Sequence, residues 1–155
     1  MKGVVLAGGK GTRLLPLTDP LSKEMLPVYN KPMIVHAIEA LVSGGIREAA
    51  IVVNRSVAGL YKRLLGKFGD DELGCRLTYF VEGKRGGPGQ ALSLIEDWVG
   101  EKDFAVALGD SVFFNSLPIL AKKSAPHLFV MEMDESEDDL RKYGQVRVSR
   151  RQVIY

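Results

Sequence analysis

The sequence predicts an α/β fold, an open and mostly parallel sheet with helices on both faces. Apolar runs of strand length alternate along the chain with segments of helical period. That alternation is typical of parallel strands joined by helices. Glycine-rich or acidic loops also follow three of the predicted strands, and in such sheets ligands bind outside the carboxyl ends of the strands.

Composition and charge agree with one globular domain. The 155 residues are 46% hydrophobic, which is enough for a core, and their net charge is only +2. Basic residues are interleaved with acidic ones, so no nucleic-acid surface is predicted. No apolar run is long enough to span a membrane, and the single Cys75 cannot form an intramolecular disulfide. We therefore expect a cytoplasmic protein that binds neither nucleic acid nor membrane.

Short apolar runs predict five strands. The strands are Gly3 to Ala7, Ala49 to Val53, Arg76 to Val81, Phe104 to Leu108 and His127 to Met133. Further on, polar residues 134–142 predict a solvated loop, and residues 146–155 predict a hairpin that turns at Arg150 and Arg151.

Three helices are predicted between the strands. The first carries Ile34, Ile38, Leu41 and Val42 on one face. We expect Asn30 to cap it and Gly44-Gly45 to end it. The apolar stripe of the second helix consists of Val57, Leu60, Tyr61, Leu64 and Leu65. The third helix is expected to begin at Pro88, which suits a first helical position, and to bury Leu92, Ile95 and Val99.

The glycine-rich segment after the first strand predicts a loop that binds the phosphates of a triphosphate. Its glycines allow backbone N–H groups to approach an anion closely. Leu14 stands where a dinucleotide fingerprint needs its third glycine, and the order Lys10-Gly11 does not fit a Walker A loop. The residues expected to bind the triphosphate here are Leu6, Ala7, Gly8, Gly9, Gly11, Thr12 and Arg13. Lys23 would add positive charge.

Two further loops are expected at the same edge of the sheet. Glu82 to Gly89 follow the third predicted strand, and Gly109-Asp110-Ser111 follow the fourth. Because the carboxyl ends of parallel strands lie at one edge, these loops and the glycine-rich loop should form a single ligand site.

An ordered series of segments resembles a known family. The segments are Gly9-Lys10-Gly11-Thr12-Arg13-Leu14, Ser22-Lys23, Met25-Leu26-Pro27-Val28, Lys31-Pro32-Met33, Leu108-Gly109-Asp110-Ser111 and Tyr143-Gly144. They look like the signature of the sugar-nucleotide pyrophosphorylases, which are nucleotidyltransferases, and resemble the glucose-1-phosphate thymidylyltransferase branch most. The resemblance implies a Rossmann-like fold of the nucleotide-diphospho-sugar transferase type. It also implies one nucleotidyltransferase domain over residues 1–155, with the carboxyl-terminal, sugar-binding part truncated.

The resemblance also implies a reaction. A sugar 1-phosphate attacks the α-phosphorus of a nucleoside triphosphate, with Mg²⁺ as cofactor, and the products are a nucleoside-diphosphate sugar and pyrophosphate. Among the triphosphates dTTP is favoured, and UTP and GTP stay open. Relatives often form homodimers or homotetramers, so a homo-oligomer is expected. Because much of the sugar half is missing, a nucleotide-binding relative without full catalysis is the alternative to an enzyme.

Charge neutralisation and positioning dominate such a phosphoryl displacement. We expect Arg13 and Lys23 to be the catalytic cations, because the planar fork of arginine can hold two phosphate oxygens and lysine adds a point charge. The alternatives are a surface arginine and a solvated lysine. Asp110 ends an apolar strand and is expected to bind Mg²⁺, with a turn or cap role as its alternative.

Base and sugar contacts are expected from three segments. The family usually has glutamine where Glu82 stands, and an ionised carboxylate can only accept hydrogen bonds. We therefore predict that Glu82 shifts base preference away from strict thymidine, toward guanosine. The alternative is a solvent-facing Glu82 in a loop. Gly87 would offer its backbone to the base. The resemblance implies that Tyr143 and Gly144 contact the sugar, with a Tyr143 that anchors a β-ribbon as the alternative.

Overall fold

The computed structural model describes residues 1–9, 11–19, 21–83 and 87–113, together with the backbone of residues 147–149 and 152–154. The chain divides into two compact units, Met1–Lys122 and Lys123–Tyr155. The strands of the first unit are β1 (Lys2–Ala7), β2 (Pro27–Val28), β3 (Lys31–Pro32), β4 (Glu48–Asn54), β5 (Arg76–Glu82) and β6 (Phe104–Leu108). Its helices are α1 (Met33–Ser43), α2 (Ala58–Leu65), α3 (Gly69–Leu73), α4 (Pro88–Ser93) and α5 (Glu96–Val99).

Four parallel strands form the sheet of the first unit, in the order β5-β4-β1-β6. Strand β1 is central, and its residue Val5 is paired with Ile51 on one side and Ala107 on the other. The predicted fold class and the first four predicted strands are therefore confirmed. The fifth predicted strand, His127 to Met133, lies outside the described residues.

The sheet is covered on both faces. Val5 and Ile51 project into one apolar cluster, which α1, α2 and α3 cover. Val4 and Val52 project into a second cluster on the opposite face, which α4 and α5 cover. Burial on both faces explains why the central strands β1 and β4 are nearly continuous apolar runs, since a strand with one solvated face would alternate apolar and polar residues. In β6, by contrast, Phe104, Val106 and Leu108 are exposed.

Helix α1 begins later than the sequence suggests. Asn30 does not cap it, because Asn30 lies in the turn of the short antiparallel pair β2-β3, and the residue at the cap position is Pro32. The helix ends at Gly44 as predicted, and Gly45 follows with a φ of 91°, in the left-handed region that favours glycine. The extra hairpin places the start of α1 directly after β3.

The later helices confirm the predictions in part. Helix α2 matches the predicted second helix, and α3 was not predicted. The third predicted helix begins at Pro88 but is interrupted at Leu94 and Ile95, so it forms the two short helices α4 and α5. Ile95 and Val99 are buried as expected. Among the described residues, no helix has the length and apolar character to cross a membrane.

The second unit contains an antiparallel hairpin. Its strands are β7 (Arg147–Ser149) and β8 (Gln152–Ile154), with Val148 opposite Val153. The hairpin predicted for this segment is therefore confirmed.

Cys75 provides a chemical test of this fold. Burial raises the pKa of its thiol to about 11, and the nearby negative charge of Asp70 adds to the effect. Since the thiolate is the reactive form, we expect the native protein to react with a disulfide reagent at pH 8 ~100-fold more slowly than the urea-unfolded chain. The release of the chromophore measures the rate, and Cys75→Ser should give no signal because the chain has one cysteine. Equal native and unfolded rates would contradict the buried position.

Candidate functional site

A cavity of about 330 Å³ opens at the carboxyl ends of β1, β5 and β6. Its lining residues are Leu6, Gly8, Gly9, Lys23, Glu24, Val52, Glu82, Gly87, Pro88, Ala91, Leu108 and Asp110. The loops after all three strands contribute to this lining. They therefore converge at one edge of the sheet, as the parallel topology predicts.

The glycine-rich loop lies against the segment that carries Lys23. Gly11 has a φ of 61°, and a Cβ there would lie 3.0 Å from Thr18 Cγ2 and 3.1 Å from Lys23 Cβ. Thr18 Oγ1 donates a hydrogen bond of 2.7 Å to the carbonyl oxygen of Gly11. A Cβ on Gly9 would lie 3.4 Å from Lys23 Cε. Glycine at these positions therefore allows the loop and the lysine to pack closely.

Lys23 and Asp110 form an ion pair at the cavity. Lys23 begins a short 3₁₀ helix, Lys23–Met25, and its ammonium donates to Asp110 Oδ2. Asp110 lies in the turn that follows β6, and the N–H of Gly109 in this turn donates to Leu6 O at 2.9 Å. The two side chains are 29% and 33% exposed. The fold thus joins two predicted site residues, and Lys23 is not a freely solvated lysine.

Glu82 is the last residue of β5 and is only 6% exposed. Its Oε2 lies 3.0 Å from the position of a Cβ on Gly8. The alternative of a solvent-facing Glu82 is therefore wrong. Within the described part of the chain, its carboxylate accepts no hydrogen bond. The side chain lines the cavity, and an ionised carboxylate can only accept hydrogen bonds, so Glu82 is suited to accept N–H groups from a ligand there.

Gly87 lies beside the cavity at the start of α4. Its φ is 83°, and a Cβ there would meet no atom of the described residues within 4 Å. The backbone of Gly87 is thus open to a ligand, as expected for a contact to the base. The positive φ rather than crowding explains glycine at this position.

The other predicted site residues differ in whether they line the cavity. Leu6 lines the cavity, whereas Ala7 is buried in the core. Thr12 and Arg13 lie exposed on the short 3₁₀ helix Thr12–Leu14 and are not in the cavity lining. The alternative of a surface arginine therefore stays open for Arg13. Tyr143 and Gly144 lie outside the described residues.

The sequence analysis missed a buried carboxylate beneath the glycine-rich loop. Glu24 is 2% exposed, and its Oε2 accepts hydrogen bonds from Ser22 Oγ and, at 3.1 Å, from the hydroxyl of Tyr61. Burial raises the pKa of Tyr61 far above its ordinary value, and the charge of Glu24 raises it further. Tyr61 is therefore a neutral donor. Its helical stripe predicted only a core role, and Glu24 lies between two signature segments without belonging to either.

The described lining of the cavity is acidic. It contains the carboxylates of Glu24, Glu82 and Asp110 but a single basic side chain, that of Lys23. No group of three or more metal-ligating side chains forms in the described ranges. A hard cation fits such a site when one or two carboxylates hold it and phosphate oxygens of a ligand complete its coordination.

Comparisons with known proteins all find similarity to nucleotidyltransferases. A family model described as nucleotidyl transferase matches residues 2–154. The glucose-1-phosphate thymidylyltransferase of Mycolicibacterium smegmatis is 40% identical over 114 residues, which make up 74% of this chain and 39% of that protein. The glucose-1-phosphate thymidylyltransferase of Neisseria gonorrhoeae matches with the same values. The chain spans about 39% of the length of these relatives.

Solved structures show the same similarity in three dimensions. A crystal structure from Bacillus anthracis, assigned as a glucose-1-phosphate thymidylyltransferase and complexed with a sucrose, is 41% identical with a TM-score of 0.70. The match covers 75% of this chain and 46% of that one. A UDP-glucose pyrophosphorylase complexed with UDP-glucose is 32% identical with a TM-score of 0.59, over 70% of this chain and 45% of the other.

The contacts of the glycine-rich loop predict a difference between two glycine-to-alanine variants. Gly11→Ala places a Cβ in a left-handed conformation against Thr18, so we expect it to lower the free energy of unfolding by about 1–3 kcal/mol. Gly59→Ala, in α2 with open space around its Cβ, should raise that free energy by up to about 1 kcal/mol. Urea unfolding measures both. Equal effects would contradict the packing described for Gly11.

Proposed function

The chain belongs to the nucleotidyl transferase family, and from that membership we propose that it binds a nucleoside triphosphate for transfer of the nucleotidyl group to a sugar 1-phosphate. The products are a nucleoside-diphosphate sugar and pyrophosphate. One observation carries the proposal: a single cavity is lined by Gly8 and Gly9 of the glycine-rich loop, by the cation of Lys23 and by the carboxylate of Asp110.

The chemistry requires the phosphates to be held in line and their charge neutralised. An oxygen of the sugar phosphate attacks the α-phosphorus, and the bond from that phosphorus to the leaving pyrophosphate breaks. The N–H groups of Gly8 and Gly9 are suited to bind phosphate oxygens. Lys23 Nζ lies 3.9 Å from the position of a Cβ on Gly9, so its charge is next to the loop. Arg13 directly follows the loop and would hold the pyrophosphate with its planar fork.

We propose that Asp110 holds a divalent cation, Mg²⁺, together with phosphate oxygens. The excess of carboxylates in the described lining supports a cation at this position. When bound, the cation would reduce the negative charge on the α-phosphate. Lys23 donates to Asp110 Oδ2 and thereby keeps the carboxylate at the cavity.

A second candidate function concerns residues 1–155 by themselves, which span about 39% of the length of these relatives. Residues 1–155 would form the amino-terminal, nucleotide-binding part of one nucleotidyltransferase domain, with Tyr143 and Gly144 on the sugar side. The nucleotide half of the site is well represented in the described cavity, so nucleotide binding should survive better than turnover. For residues 1–155 by themselves, the second candidate is therefore triphosphate binding without full catalysis.

Several finer assignments complete the proposal. The names of the relatives favour dTTP and glucose 1-phosphate, and the UDP-glucose pyrophosphorylase keeps UTP open. Glu82 favours a base with two adjacent N–H donors, which guanine has and thymine lacks, so GTP is also a candidate. We further propose a homo-oligomer that works in the cytoplasm.

The main test is triphosphate binding measured beside pyrophosphate release. We expect the wild-type chain to bind a triphosphate more tightly with Mg²⁺ than without it. Asp110→Asn should weaken the Mg²⁺-dependent binding by about 10-fold or more, because it removes a charged ligand of the cation. Asp103→Asn, an exposed acid outside the cavity, is the matched control. Binding without pyrophosphate release supports the second candidate, and absence of binding contradicts both.

A second test concerns the base. The Glu82 carboxylate can accept from two donors of guanine, whereas glutamine can accept from and donate to thymine. We expect Glu82→Gln to raise the affinity ratio of dTTP to GTP by about 10-fold or more. Calorimetry with dTTP, UTP, GTP and ATP measures the ratios, and the exposed Glu101→Gln serves as control. An unchanged ratio in the variant would exclude Glu82 from base recognition.

A further inference from the structure

We infer that Glu24 is a positioning residue, whose buried carboxylate fixes the turn that carries Lys23 and thereby sets the place of the ammonium at the triphosphate. The inference rests on the proposed function, since it concerns the same phosphate site. Glu24 is 2% exposed and its Oε2 accepts from Ser22 and Tyr61, so its role is to act through Lys23 rather than to contact the reacting atoms.

The two neighbours point their side chains in different directions from one short turn. Lys23 and Glu24 share the three-residue 3₁₀ helix, where Lys23 reaches Asp110 and Glu24 reaches Tyr61. The backbone of this turn has two hydrogen bonds of its own, from Met25 N to Ser22 O at 3.0 Å and from Leu26 N to Lys23 O at 3.1 Å. A helix this short has little intrinsic stability, so side-chain anchors must determine its position.

The carboxylate of Glu24 is such an anchor, because three separate segments meet around it. Its Oε2 accepts from Tyr61, which lies in the middle of α2 and is fully buried. Its Cγ lies 3.2 Å from the position of a Cβ on Gly109, and its Oε1 lies 3.4 Å from that of a Cβ on Gly9. The same side chain therefore packs on the phosphate loop and on the residue before Asp110.

This packing relates the phosphate-binding groups to one another. Gly9 belongs to the loop expected to bind phosphates, and Asp110 carries the partner of Lys23. If Glu24 moved, the lysine would shift relative to both groups. A shift of about 1 Å in a phosphate-binding group is enough to lower affinity and rate, since such sites depend on preorganised geometry.

The hydrogen bonds of Glu24 come from neutral hydroxyl groups, those of Ser22 and Tyr61. Two donors on one oxygen satisfy a carboxylate that burial would otherwise penalise. A glutamine at position 24 has the same size but a weaker acceptor oxygen, and phenylalanine at position 61 removes one donor while keeping the ring. These two variants therefore loosen the anchor from opposite sides with little change in packing volume.

The test is a double-mutant cycle on triphosphate binding. We expect Tyr61→Phe and Glu24→Gln each to weaken binding of the Mg²⁺ triphosphate by about 3- to 10-fold. In a Lys23→Ala background the same changes should cost less than about 2-fold, because their effect is exerted through the lysine. Tyr79→Phe, a half-buried tyrosine on β5 outside the cavity, is the matched control and should leave binding unchanged.

Each outcome decides between the two proposals. If the wild-type chain binds no triphosphate, the proposed function fails and the inference fails with it. If the wild type binds but the losses are equally large with and without Lys23, Glu24 has a general structural role and only the inference is overturned. Urea unfolding shows which variants are folded, and Tyr61→Phe keeps the test available if Glu24→Gln does not fold.

Discussion

The pairing of β1 with β4 on one side and β6 on the other is the constraint on which the rest of the structure depends. A central parallel strand has its hydrogen-bonding groups satisfied on both edges, and here Val4 and Val5 are also buried on opposite faces. Strands β1 and β6 end side by side, because Leu6 is paired with Leu108. The glycine-rich loop after β1 and the acidic turn after β6 are consequently adjacent. A hydrogen bond from the N–H of Gly109 to the carbonyl oxygen of Leu6 joins the two segments.

This edge of the sheet combines tight backbone packing with an excess of acidic groups. Glycines at positions 9 and 109 leave room for the Glu24 side chain, and glycine at position 8 leaves room for Glu82. The carboxylates occupy different environments, because hydroxyl groups satisfy Glu24, an ammonium pairs with Asp110, and Glu82 has no partner among the described residues. One edge can thus offer a structural anchor, a cation ligand and an acceptor for a base.

Local patterns predicted the fold well, and the failures have physical causes. The central strands β1 and β4 were visible because burial on both faces makes them nearly continuous apolar runs. Strand β6 was visible because all five of its residues are apolar, although Phe104, Val106 and Leu108 are exposed. The prediction that Asn30 caps the first helix was wrong because Asn30 lies in the turn between the paired strands β2 and β3. The spacing of apolar residues along a helix gives no sign of such strand pairing. A single third helix was predicted because the helical spacing of apolar residues continues across Leu94 and Ile95. In the structure the backbone forms a turn at these two residues, which separates α4 from α5. Those errors concern boundaries, which depend on pairing between neighbouring segments.

The sequence by itself determined the parallel α/β architecture, the glycine-rich loop and the acidic residue at the end of a strand, since each depends on residues that are close along the chain. Only the tertiary structure decided that Lys23 pairs with Asp110, 87 positions away, and that Glu24 accepts from Tyr61, 37 positions away. It also decided that Glu82 is buried. Neither the burial of a carboxylate nor its partner follows from local spacing, because both depend on which distant segments the sheet brings together.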